Sequence, residues 1–306
     1  PMTKARELSD YTGLAADITA GDTAARAGRK NLIINGDHRI NQRGTLPVTG
    51  VTNATYEATD RWKTQKNVNL SSADASITAS KLKFTATSSG TASLGCYQPI
   101  EEYSLFIGKT ITVSALVTSN TSAARLNLYC SGASATIATT THSGNGTEEL
   151  LTATGVVPAN ATGLTAYCSI LSATTGTVSI TSGDYIEFTD YQLELGSVAT
   201  DFEHRSYGEE LALCQRYYQT YEYTEGGGVG TKYGLNAISN RFNGAITFPV
   251  KMRGAPTFAQ LTTPTGARCT EGSHSVSSTG VVIRVNTTSS GDYRMYSGSY
   301  SLDAEL

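Results

Sequence analysis

The sequence predicts an all-β chain: an antiparallel sandwich, then one helix, then a second and smaller β-sandwich. Three observations carry this. The 306 residues include 45 Thr, 31 Ser and 30 Gly, with 17 Tyr against 7 Phe and 1 Trp. Thr and Tyr suit pleated, half-exposed surfaces where a polar tip stays wet. Apolar residues alternate with polar ones over short runs, the period of a half-buried strand. Clusters of Ser, Thr, Gly and Asn separate those runs, as turns do. Charged residues are only 16%, below the roughly 25% of an average domain, which argues against a long helical rod.

Residues 1–30 read as a leader, stalk or attachment segment. Leu8, Tyr11, Leu14 (or Ala15) and Ile18 fall three or four apart, so a short amphipathic helix is expected there, broken near Gly21. Pro1-Met2-Thr3-Lys4 begins no apolar stretch of the kind that marks a signal peptide. Residues 31–195 read as one β domain. Leu32-Ile33-Ile34 is a short apolar strand that meets a turn at Asn35-Gly36-Asp37. Leu82 and Phe84 alternate with lysines. Ile111, Val113, Ala115 and Val117 give the clearest strand, over Lys109 to Thr118. Leu126, Leu128 and Cys130 repeat the pattern, as do Leu164, Ala166, Cys168 and Ile170, and Ile186 and Phe188 with Gln192-Leu193 close the set. About eight or nine strands of this kind predict a sandwich with one apolar and one polar face per sheet.

Residues 196–221 are predicted as a linker and then a helix over 206–221. Ser206 with Glu209 forms a capping box, and Leu211, Cys214 (or Gln215) and Tyr218 form its apolar stripe. Residues 222–306 resume alternation after a glycine loop, at Phe242, Ile246, Phe248 and Val250, then at Val281, Ile283 and Val285, and read as a C-terminal β domain.

Several function classes are excluded. No run approaches about 18 apolar residues, so no membrane insertion is expected. A net charge of −3 disfavours a nucleic-acid backbone as partner. Gly108-Lys109-Thr110 lacks the earlier glycine of a phosphate loop, because Tyr103 stands there, and a strand follows it. The five Cys form no CxxC and read as buried free thiols, which suits folding in a reducing cytoplasm. His38, His142, His204 and His274 are far apart. Glu101-Glu102 and Glu148-Glu149 are adjacent pairs, and strand neighbours point to opposite faces, so neither pair is itself a two-carboxylate hydrolytic site.

The aromatic and polar set around Asp60-Arg61-Trp62 offers a different chemistry. A sugar presents a C–H face, which an aromatic ring covers, and a rim of hydroxyls, which polar side chains bind. Trp62, Tyr56, Arg61 and Tyr97 are the candidate glycan-binding residues. Trp62 reads equally as the core anchor of the sandwich. Tyr217, Tyr218, Tyr221, Tyr223 and Tyr233 read as a binding surface or as an inter-domain or inter-subunit seam.

Four stretches in this order carry a resemblance. Asn31-Leu32-Ile33-Ile34-Asn35-Gly36-Asp37, with Gln42-Arg43-Gly44 and Asp60-Arg61-Trp62, resembles the opening of a carbohydrate-binding-module-like domain of bacteriophage tail fibres and receptor-binding proteins. Residues Gln192 to Glu203 resemble the end of that domain, Tyr207 to Tyr218 the helix that follows, and Phe248 to Thr257 the C-terminal strand and turn of the same proteins. The resemblance implies a jelly roll, a homotrimeric virion fibre folded in the host cytoplasm, other tail or fibre proteins as neighbours, and bacterial surface polysaccharide as the partner. It also implies a structural calcium, for which Asp37 and Asp190 are the candidate ligands. His38 stands where such proteins more often carry an apolar or aromatic residue. The resulting expectation is a non-catalytic host-adhesion protein. A purely structural fibre or decoration protein is one alternative; a polysaccharide depolymerase or the binding module of a glycoside hydrolase is the other.

Overall fold

The computed structural model describes residues 30–172, 174, 176–223, 241–267, 269–287 and 294–305. The expected leader, all but Lys30, lies outside the described residues, as do the glycine loop and Tyr233.

The first region is an antiparallel jelly-roll sandwich. Its strands are β1 (Lys63–Lys66), β2 (Ala73–Thr78), β3 (Lys81–Ala86), β4 (Gly90–Ala92), β5 (Leu94–Pro99), β6 (Thr110–Ser119), β7 (Ala124–Ser131), β8 (Ala135–Thr141), β9 (Glu148–Val156), β10 (Gly163–Ile170), β11 (Val178–Ile180) and β12 (Tyr185–Leu195). One sheet has the order β1-β5-β10-β7-β8 and the other β2-β3-β12-β6-β9, with β11 and β4 as a small separate pair. Twelve strands exceed the eight or nine expected, because ladders of three or four residues are too short to show a period. Leu94 and Cys96 of β5, Leu126 and Leu128 of β7 and Ala166 and Cys168 of β10 face inward against Ile111, Val113 and Val117 of β6 and Phe84 of β3. Four of the cysteines, Cys96, Cys130, Cys168 and Cys214, are buried free thiols.

Strand β12 breaks its own alternation. Ile186 and Phe188 are buried, and so are Tyr191 and Leu193. The parity changes at a bulge between Thr189 and Gln192, where Asp190 has φ 53°. The extra residue turns Tyr191 into the core, with its ring 5.1 Å from that of Trp62.

Leu32-Ile33-Ile34 is not a ladder strand, contrary to the sequence expectation. Leu32 donates one backbone bond to Leu193, but the amides of Ile33 and Ile34 donate to the side chains of Asn31 and Gln98. Side-chain acceptors have replaced the ladder. The turn that follows is fixed by two residue types. Asn35 has φ 58°, a left-handed conformation that Asn tolerates. A Cβ on Gly36 would lie 2.1 Å from the Tyr191 carbonyl oxygen, so only glycine fits.

The helix α1 runs Tyr207–Gln215 and carries the expected Ser206–Glu209 capping box. It is shorter than expected. Tyr218, assigned from the sequence to its stripe, opens strand β13 (Tyr218–Tyr223), whose Tyr-Gln-Thr-Tyr-Glu-Tyr composition favours a strand. The strands β14 (Arg241–Thr247), β15 (Thr257–Ala267), β16 (Cys269–Ser277), β17 (Gly280–Thr287) and β18 (Arg294–Asp303) complete the smaller sandwich, as sheets β13-β18-β15 and β14-β17-β16. Its core includes Ile246, Phe248, Met252, Val281, Tyr300 and Leu302. Among the described residues no helix is long and apolar enough to cross a membrane.

The two β regions meet at a seam of arginines and tyrosines. The Arg43 guanidinium lies 3.7 Å from the centre of the Tyr218 ring, and that of Arg61 lies 3.5 Å from the centre of Tyr217. Glu305 pairs with both arginines. Burial pushes the carboxyls of Asp60 and Glu305 up, and the neighbouring Gln42 and Arg43 on Asp60, and Arg61 and Arg43 on Glu305, pull back. Seam, rather than binding surface, describes Tyr217 and Tyr218.

His38 is buried among aromatic rings. Its ring is edge-on to Phe188 at 4.6 Å and 5.3 Å from Trp62, and burial holds its pKa down to about 3. The unfolded chain protonates this imidazole near pH 6.5, while the folded chain does so only near pH 3. The folded state therefore loses stability as pH falls through that window, by about 1.4 kcal/mol per pH unit. Urea unfolding between pH 6 and pH 4 is expected to show this slope relative to His38→Asn, which tolerates φ 57° and cannot titrate. Parallel slopes in the two proteins would refute it.

Candidate functional site

The outer face of sheet β1-β5-β10-β7-β8 carries the residues of opposite phase to the core. Strand register arranges them in three rows. Gln65, Gly95, Ser169, Arg125 and Thr141 lie side by side, as do Lys63, Tyr97, Tyr167, Asn127 and Thr139, and then Pro99, Thr165, Tyr129 and Thr136. In the middle row the rings of Tyr97 and Tyr167 are stacked, with centroids 5.1 Å apart and planes at 28°. Burial raises the pKa of Tyr97, and burial, then the neighbouring Tyr97 and Tyr129, push that of Tyr167 up to about 12. Both therefore stay neutral phenols and hydrogen-bond donors.

Three polar atoms on this face lack hydrogen-bond partners among the described residues. Oε1 of Gln65, Nε of Arg125 and Oδ1 of Asn127 are buried and make no hydrogen bond among the described residues. A buried polar atom without a partner costs about 1–3 kcal/mol, and three such atoms lie under this face. Burial also lowers the Arg125 pKa. Between Gln65 and Arg125 the floor is low. Gly95 has φ 148°, a Cβ there would lie 2.3 Å from the Cys168 carbonyl oxygen, and Ser169 turns its hydroxyl down to the Cys96 carbonyl. The arrangement is an aromatic platform beside a polar trough. The three rows hold no Asp or Glu, so they lack the paired carboxylates of glycoside hydrolysis.

Of the four residues expected to bind glycan, Tyr97 stands on this face. Trp62 does not: it is fully buried, its indole N–H donates to the Asn35 carbonyl at 2.9 Å, and it is the core anchor. Arg61 is 1% exposed and belongs to the seam. Tyr56 lies against the guanidinium of Arg43 and the ammonium of Lys63, at 4.9 and 5.0 Å. Reading by proximity to Trp62 missed Tyr167, Tyr129, Gln65, Arg125 and Asn127. Their signal was the polar phase of the runs whose apolar phase had marked β7 and β10.

The acidic pairs are occupied elsewhere. Glu148 pairs with Lys81, Glu149 accepts from the Ser143 amide, and Glu101 is held by Tyr217, Arg216 and Arg253. Asp37 and Asp190 do line one cavity of about 420 Å³ on the side of the other sheet, where Oδ1 of Asp37 is buried with no hydrogen-bond partner among the described residues. The cavity does not fit the expected calcium. Arg39 pairs with Asp37, Lys81 faces the same space, and no group of three or more His, Cys, Asp or Glu able to hold a metal occurs among the described residues. Calcium needs about six to eight oxygens.

No protein-family model and no curated protein matches the chain. Solved structures do. A CBM4 module is 16% identical over 50% of this chain and 98% of its own, with TM-score 0.34. A putative sugar-binding protein from Bacteroides thetaiotaomicron is 9% identical over 55% of this chain and 100% of its own, with TM-score 0.34. The tripod from the baseplate of bacteriophage Tuc2009 is 14% identical over 71% of this chain and 83% of its own, with TM-score 0.34.

The trough floor is testable without a ligand. Gly95→Ala is expected to cost more than about 1 kcal/mol, because the new methyl meets backbone at a positive φ. An unchanged melting temperature would show that the floor yields.

Proposed function

We propose that this chain is a non-catalytic virion fibre protein that binds glycan on the bacterial surface through the outer face of β1-β5-β10-β7-β8. One observation carries the reading: stacked Tyr97 and Tyr167 lie beside the unpartnered polar atoms of Gln65, Arg125 and Asn127. The rings take the C–H face of a pyranose. The amides and guanidinium take its hydroxyls, each of which both donates and accepts. Carboxylates are missing from the rows, so the face is suited to holding a sugar and not to cleaving it.

Single contacts of this kind are weak, and the fibre works as a homotrimer in which three faces engage one polysaccharide at high effective concentration. Other tail or fibre proteins carry it on the virion. Buried thiols are consistent with folding in the host cytoplasm before assembly.

Tyr97→Ala and Tyr167→Ala are each expected to weaken retention of purified host polysaccharide by about tenfold, with circular dichroism unchanged. If the double variant binds as the parent does, the outer face is not the site. Light scattering is expected to give about three times the 32.3 kDa chain mass; a monomer would remove the avidity argument. No reducing sugar is expected to be released from the polysaccharide.

A further inference from the structure

Two cations stand on the outer face of β1-β5-β10-β7-β8, Lys63 at one end of the middle row and Arg125 in the row beside it. The three rows hold no carboxylate. Lys63 lies over the Tyr56 ring at 5.0 Å. Arg125 is half-buried and makes no ion pair or hydrogen bond among the described residues. Its Nε is covered, but its two terminal nitrogens reach solvent. Burial lowers its pKa, and no carboxylate opposes the shift. The guanidinium still stays charged near neutral pH, because its ordinary value lies far above it. It is a surface cation with no counter-charge among the described residues.

Its place in the ladder decides what reaches it. Arg125 is opposite Ser169, and Asn127, two residues along, is opposite Tyr167. Arg125 is therefore a diagonal neighbour of Tyr167, about 7–8 Å away and within reach of a long side chain. Nothing tall stands beside it toward β5: the Ser169 hydroxyl turns down to the Cys96 carbonyl, and the next residue in the row is Gly95. A pyranose lying on the stacked rings of Tyr97 and Tyr167 thus has Arg125 beyond its edge. Equatorial substituents leave a pyranose through that edge, close to the plane of the ring. The group that meets Arg125 is therefore a substituent and not the C–H face. One unopposed cation matches one negative charge. An ammonium substituent would be repelled, and a hydroxyl would leave the charge unbalanced.

We propose that the outer face selects an acidic sugar, whose ring rests on Tyr97 and Tyr167 and whose singly charged group, a carboxylate or a phosphodiester, pairs with the terminal nitrogens of Arg125. The proposal rests on the reading of this face as the glycan site and narrows its ligand. The planar fork of an arginine fits two oxygens of either group at once. Because the rows carry no Asp or Glu, an acidic sugar meets no like charge from them.

The test titrates the full chain with methyl glucuronide, methyl glucoside 6-(methyl phosphate) and methyl glucoside, and follows the ¹⁵N-labelled Nε–H resonance of Arg125. At least one acidic probe is expected to shift that resonance and to bind about tenfold tighter than methyl glucoside at low salt. The margin is expected to shrink toward 1 M salt, where the screening length falls to about 3 Å. The first two probes separate carboxylate from phosphodiester. Arg125→Gln is expected to bring the acidic probe down to the level of the neutral one, and Arg125→Lys to keep part of the margin. Equal binding of all three probes overturns the proposal, and so does a margin that survives in a folded Arg125→Gln. If that variant does not fold, the Nε–H response and the salt dependence of the parent decide. Tyr97→Ala with Tyr167→Ala is expected to weaken all three probes. If it weakens none, the outer-face reading fails and the proposal with it. If it weakens three probes that bound equally, the face stands and the preference for acid alone is lost.

Discussion

The carbonyl of Asn35 receives the indole N–H of Trp62 and, with it, the organisation of the whole first sandwich. Asn35 spends every polar atom: its amide donates to Glu210, its side chain bonds Ile40 and the Asp60 carbonyl, and its carbonyl takes Trp62 and His38. One residue thus joins the N-terminal turn, the Asp60-Arg61-Trp62 segment and helix α1. A fully buried indole usually satisfies its N–H with an acceptor, because leaving it unpaired costs about 1–3 kcal/mol. The left-handed turn at Asn35 supplies one, and the close approach of Gly36 to Tyr191 locks that turn against the last strand of the sandwich.

That knot joins short motifs that lie far apart in sequence. The Asn-Gly-Asp turn and the Asp-Arg-Trp segment are two halves of one hydrogen-bonded unit. It also explains why Trp62 and Arg61 are poor candidates for a surface role. Trp62 is consumed by the core. Arg61 is consumed by the seam with Tyr217 and Glu305.

The layers of the fold were legible in the sequence because alternation marks a strand whatever its neighbours are. The long strands β6, β7 and β10 were read directly. The short ones were not, since four residues give no period, and β12 misleads because its bulge reverses which parity is buried. The candidate site was half legible. Tyr97 was found, but by nearness to a tryptophan that faces the other way. Tyr167, Arg125 and Asn127 were visible only as the polar phase of β10 and β7. Their adjacency depends on register between strands that are about 40 residues apart in sequence, which local pattern does not encode. The unpartnered state of Gln65, Arg125 and Asn127 is a tertiary fact, and no residue-level signal precedes it.

In both β regions the strand that comes late in sequence is inserted between two earlier ones. β12 lies between β3 and β6, and β18 between β13 and β15. Neither flanking pair bonds to itself, so on a nascent chain emerging N-terminus first each flanking strand keeps an open edge until the insert is made. Tyr218 of β13 waits for Asp303 of β18. Closure over such sequence separation is slow, and during the delay the waiting edges can template neighbouring chains. Wherever several copies are translated close together, the same vacancy that one chain must fill from its own later residues is open to the corresponding strand of another.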